Sequence, residues 1–134
     1  MRTAALAPLL ALVPACRRVE RFSLPPAPPS SAELPGEYAA DFHDGVFGVL
    51  VLEAPETAAA RGYPCAAPGL LDAVAGGYAY DPLSGHLVAE MKSQDGTTRL
   101  LVDGSFAGAE LSGSFAVELL GVECERGAIT LERR

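Results

Sequence analysis

Basic residues are scarce in this chain of 134 residues. Ten Lys and Arg stand against seventeen Asp and Glu, a formal net charge of −7. Nucleic acid is bound through phosphate contacts from basic patches, so this balance argues against a nucleic-acid partner. Histidine is scarcer still, with only His43 and His86. His43 lies beside Asp41 and Asp44, but without a third and fourth ligand at useful spacing the group is a weak metal candidate. Both histidines read as solvated polar residues, and no metal or cofactor is expected. The sequence has no Gly-x-Ser-x-Gly elbow, no phosphate-cradling glycine pattern and no spaced Asp/Asn/Gly calcium loop. Ser105, Ser112 and Ser114 read as strand or turn residues, and Glu123 and Glu125, which flank Cys124, as a solvated face. No catalytic residue is assigned, and a non-enzymatic protein is expected. The N-terminal apolar run, interrupted by Pro8, falls short of the roughly 20 residues that a membrane-crossing helix needs.

That run has another use. Arg2 precedes an uncharged stretch from Ala4 to Val13, and Val13-Pro14-Ala15-Cys16 closes it. The order of a basic start, a short apolar core and a small residue at the end is that of an export signal. Its ending resembles the lipobox of bacterial lipoproteins, which implies that Cys16 is lipidated and becomes the mature N-terminus. Two other readings compete: ordinary cleavage after Ala15, giving a secreted protein with a spare thiol, and an uncleaved N-terminus. The expected location is the bacterial cell envelope, periplasmic or surface-exposed, with the membrane engaged through the lipid. If Cys16 carries no lipid, the chain is secreted.

Cysteine arithmetic bears on the same point. Cys16, Cys65 and Cys124 are an odd set, which in an exported protein calls for a separate use of one thiol. With Cys16 lipidated, Cys65 and Cys124 remain to form a disulfide, closing a loop of 58 intervening residues, or to stay as two buried thiols. Arg17, Arg18 and Arg21 follow Cys16, and Pro25-Pro26-Ala27-Pro28-Pro29 follows them. Such a proline run favours an extended, semi-rigid spacer. The arginines suit either contact with anionic headgroups or a soluble linker. The expected organisation is a signal peptide over 1–15, a lipid-anchored proline-rich tether over 16–33 and a folded domain over 34–134.

Within 34–134, six basic residues face fifteen acidic ones, a net −9. The dominant hydrophobic period is two, the signature of strands. It runs through Tyr38, Ala40 and Phe42; through Leu87, Ala89 and Met91; through Leu111 to Leu119; and through Ile129 and Leu131. A nearly continuous apolar run, Val46-Phe47-Gly48-Val49-Leu50-Val51-Leu52, predicts a strand at least partly covered on both sides. Further strands are predicted over 74–81 and 98–106. Turn signals separate them at Asp44-Gly45, Pro82 to Gly85, Gln94-Asp95-Gly96 and Gly108-Ala109, with a longer connection over 121–127. Residues 54–73 break the rhythm, with three prolines and Glu56-Thr57-Ala58-Ala59-Ala60-Arg61. They predict a long loop or a short helix starting near Pro55, and they compete as a recognition surface or a cover over one barrel end.

The fold class is thus all-β: an antiparallel meander of seven or eight strands closed into a small up-and-down barrel, because closure removes exposed edges. A flattened sandwich is the alternative. Gly36-Glu37-Tyr38, Gly45 to Leu52, Gly104-Ser105-Phe106, Leu111-Ser112-Gly113-Ser114-Phe115 and Gly127-Ala128-Ile129-Thr130-Leu131 resemble the repeated strands of small, uncharacterised bacterial β-barrel lipoproteins with a lipocalin-like fold. That resemblance supplies no catalytic residues. The predicted inward set is Tyr38, Phe42, Tyr78, Tyr80, Leu87, Met91, Leu100, Val102, Phe115 and Val117. These residues either fill the interior or line a pocket for a small apolar ligand, since barrels of eight strands do both. The leading functional expectation is a tethered structural or protein-interaction module; the alternative is a carrier of a small apolar ligand or lipid.

Overall fold

Period-two alternation becomes eight strands. The computed structural model describes residues 26–43, 45–66 and 73–134. The signal segment, Cys16, the arginines that follow it, Pro25 and Asp44 lie outside the described residues. The strands are β1 (Gly36–Asp41), β2 (Phe47–Glu53), β3 (Thr57–Arg61), β4 (Val74–Asp81), β5 (His86–Lys92), β6 (Thr98–Ala107), β7 (Glu110–Leu119) and β8 (Val122–Arg133). Each pairs antiparallel with the next, and β8 returns to β1, so the meander is a closed barrel.

Three sequence expectations are corrected. Residues 57–61 are a strand, neither a loop nor a helical turn, and they occupy the gap between β2 and β4. Alanine is a poor strand former, but Ala58 and Ala60 point inward and are buried in the core. The connection expected over 121–127 is also strand: the β7–β8 turn is Leu120-Gly121, and β8 starts at Val122. Finally, residues 26–33 are not a free spacer. They lie across one end of the barrel, where the Tyr80 hydroxyl donates to the Pro29 carbonyl at 2.6 Å and Gly108 N–H to that of Pro26 at 3.2 Å.

Arg133, near the end of β8, holds this strap. Its guanidinium donates to the carbonyls of Glu33, Leu34 and Pro35 and to the Tyr38 hydroxyl, and it lies 5.1 Å from the centre of the Tyr38 ring. Ser30 and Glu33 bond reciprocally, side chain to backbone, at 3.0 and 3.2 Å, which turns the strap into the barrel. Leu34 is driven under it and is buried. At the opposite end Phe42 meets Phe115 edge-on at 4.9 Å, and Tyr63, in the β3–β4 connection, is buried in the same core.

The Cys65–Cys124 disulfide is formed, with the Cα atoms 6.6 Å apart. A β-bulge explains how β8 delivers its half. Val117 pairs with Glu125 and Glu118 with Glu123, leaving Cys124 as the extra residue. A bulge re-aims a side chain out of the ladder alternation, and here the disulfide takes that side chain to the 62–66 segment. β1 pairs only with residues 130–133 of β8. The disulfide therefore pins the part of β8 that projects beyond the seam.

Between the ends the wall coils tightly. Gly104 and Gly113 face each other across β6 and β7. A Cβ on Gly113 would stand 2.1 Å from the Asp103 carbonyl oxygen and 2.4 Å from Gly104 Cα. Only glycine permits that approach.

Candidate functional site: a groove on the outer wall

The inward set expected from the sequence faces the interior. Tyr38, Phe42, Leu87, Met91, Leu100, Val102, Phe115 and Val117 are buried, and Tyr78 and Tyr80 are half-buried against the core. They share the interior with Leu50, Leu52, Leu111, Ile129 and Leu131, all at most 1% exposed. Tyr38 and Tyr80 each meet Phe106, at 5.7 and 6.0 Å between ring centres. Burial raises the proton affinity of Tyr38, Tyr78 and Tyr80 above the ordinary phenol value, with opposing help from Arg133 at Tyr38. These residues thus pack against one another from one end of the barrel to the other.

A large concavity lies instead on the outside. A groove of about 900 Å³ runs over β1 to β4 and is bounded by the β5–β6 turn. Its floor is a row of outward side chains fixed by strand register: Glu37 opposite Val51, Val51 opposite Ala59, Ala59 opposite Ala75 and Ala75 opposite Lys92. At roughly 4.8 Å between neighbouring strands, the row spans on the order of 19 Å. Val49, Val51 and Ala59 are half-buried although they point away from the core. A second, shallower depression of about 630 Å³ over β4 and β5 shares Ala75 and Lys92 with it.

The charges around the groove are unequally committed. Glu37 is paired with Arg134 at 2.7 Å. Asp95 accepts from the Ser93 hydroxyl, Thr97 N–H and the Thr97 hydroxyl at 2.7, 3.1 and 2.8 Å, and these bonds hold its carboxyl below the usual range. Glu90 is lowered in the same sense, chiefly by the bond from Arg99 at 3.1 Å and by that charge, and its distance to Lys92 is a looser 3.8 Å. Arg61, which stands beside Val49 in the β2–β3 register, has no carboxylate partner among the described residues.

The other residues considered for chemistry do not converge. His43 Nε2 lies 2.7 Å from Thr130 Oγ1, with Asp41 at 4.0 Å, and His86 Nε2 is 2.7 Å from Asp103 on the opposite side of β5 from the groove. Glu123 is paired with Arg126 at 2.7 Å, while Glu125 approaches the disulfide. Among the described residues no three His, Cys, Asp or Glu side chains gather as metal ligands.

The groove residues are absent from the sequence-derived set, but two sequence signals touch them. The apolar run over β2 predicts partial cover on both faces, and its outward residues are Phe47, 71% exposed, and the half-buried Val49 and Val51. Residues 54–73, singled out as an excursion, contribute Ala59, Arg61 and Ala73. The fold and site together define a small, closed, antiparallel β-barrel with a filled interior and an external groove. Compared with protein families, with curated proteins and with solved structures, the chain matches none.

Proposed function

We propose that this chain is an exported bacterial cell-envelope lipoprotein whose barrel is a non-catalytic interaction module that works through its outer wall. The observation that carries the reading is the contrast between an interior packed with the protein's own side chains and a large groove outside it. A carrier of the lipocalin type needs the reverse arrangement. The thiol count supports the anchor: Cys65 and Cys124 are joined, so Cys16 is the odd cysteine, placed where the sequence resembles the end of a lipobox. The strap enters the barrel at one end, which leaves the groove on the wall clear of it.

Two measurements test this. Fatty-acid labelling in a bacterial host is expected to mark the wild-type chain and not Cys16→Ala; label that persists in the variant overturns the anchor. Crosslinking in intact cells is expected to give a discrete protein adduct. A barrel that yields no adduct and co-purifies with an apolar molecule in its interior overturns the interaction module in favour of a carrier.

A further inference from the structure

Three of the barrel's six basic residues, Arg61, Lys92 and Arg134, line the outer groove, in a domain with fifteen acidic ones. Two of them are weakly committed. Arg61 has no ionic partner among the described residues, and Lys92 shares Glu90 with the closer Arg99. Beside them lies an apolar floor of Val51, Ala59 and Ala75. Arg61 flanks the middle of that floor, two residues from Ala59 on the same face of β3 and opposite Val49, and Lys92 stands at its β5 end, opposite Ala75.

We propose that the groove is a binding site for a single-chain anionic amphiphile, its aliphatic chain on Val51, Ala59 and Ala75 and its head on Arg61 and Lys92. A volume of about 900 Å³ is that of a small-molecule site. Apolar walls with a small number of placed polar groups are the usual make-up of such sites. A free guanidinium suits a carboxylate or phosphate, which it can grip through two parallel hydrogen bonds. The Asp95 carboxylate, also at the rim, is engaged by Ser93 and Thr97, and Glu37 by Arg134, so neither competes for Arg61. The site is independent of lipid anchoring, and it rests on the reading of the outer wall as the barrel's working face.

Amide chemical shifts of the ¹⁵N-labelled exported chain test the site. The ligands are dodecanoate and dodecyl phosphate below their micelle concentrations, with dodecyltrimethylammonium and inorganic phosphate as controls. Saturable shifts are expected at Val51, Ala59 and Ala75 with either anionic amphiphile, the tighter of the two identifying the head. Arg61→Gln is expected to weaken binding about tenfold or more, the worth of one hydrogen bond to a charged group, without moving the thermal midpoint. Ala59→Leu, which fills the floor, is expected to abolish the shifts. The site is overturned by an absence of saturable shifts, by shifts centred on Leu100 and Val102 in the interior, by equal binding of the cationic amphiphile, or by undiminished binding to Arg61→Gln. None of these outcomes bears on fatty-acid labelling of Cys16 or on crosslinked protein adducts.

Discussion

Tyr38 joins the core to the strap. Its ring is buried against Phe106 and under Arg133, while its hydroxyl donates to the Leu34 carbonyl and accepts from Arg133 at 3.1 Å. Tyr38→Phe removes one donor and leaves the Leu34 carbonyl without it, a loss of about 1–3 kcal/mol for a buried group. The same hydroxyl makes stability depend on alkali. Burial raises the folded-state pKa of Tyr38 above the ordinary value near 10, so the folded chain holds the proton longer than the unfolded one. Its contribution is complete below about pH 10 and is lost as pH rises through the folded value. Asp95 works in the opposite sense, because Ser93 and Thr97 depress its pKa. Its contribution is present above the ordinary carboxylate value near 4 and is lost as pH falls through the lower, folded one. Denaturant midpoints across pH are therefore expected to show a flatter alkaline limb in Tyr38→Phe and a flatter acid limb in Asp95→Asn.

At the scale of elements, the disulfide is the largest single constraint. It ties the β3–β4 connection to the bulge in β8 across a separation of 59 residues. The chain-entropy argument gives about 4 kcal/mol for a loop of this length. Cys65→Ser with Cys124→Ser is expected to lower the denaturant midpoint by a corresponding amount, with a larger effect on protection of the amides in 122–129 than on those of β5 and β6. Most strands are legible in the sequence, because Leu87-Ala89-Met91 and Leu111 to Val117 bury one face each and period two follows from that. β3 is not legible. Thr57-Ala58-Ala59-Ala60-Arg61 carries helix-favouring alanines, and only the narrow space between β2 and β4 makes them strand residues. The early start of β8 is hidden by Glu123, Glu125 and Gly127, polar or glycine residues outside the apolar alternation. The groove is half legible: the doubly apolar β2 announces a covered outer face, but which strands join it depends on register, and no local pattern encodes that.

Over the whole molecule, charge is the dominant asymmetry. The domain carries a net −9, and its committed ion pairs are largely exposed. Exposed pairs of this kind contribute little, so self-repulsion is the larger electrostatic effect. Raising salt from low to physiological ionic strength, which shortens the screening length to about 8 Å, is expected to raise the thermal midpoint of the barrel. A fall in the midpoint would mean that ion pairs, not repulsion, dominate.

The strap across the barrel end also has a mechanical meaning. A pull applied at Pro26 is not delivered to a free segment. It loads the Pro26 and Pro29 carbonyls first and then the Arg133 clamp. Arg133 sits on β8 at the seam with β1, where the ladder is four residue pairs long. These attachments are few and lie in sequence, so they give way one after another. Peeling the strap releases roughly ten residues, about 30 Å at full extension, and its last attachment, Arg133, passes the load to the β1–β8 seam. In a chain tethered as proposed, the strap would yield before the longer ladders of the barrel do.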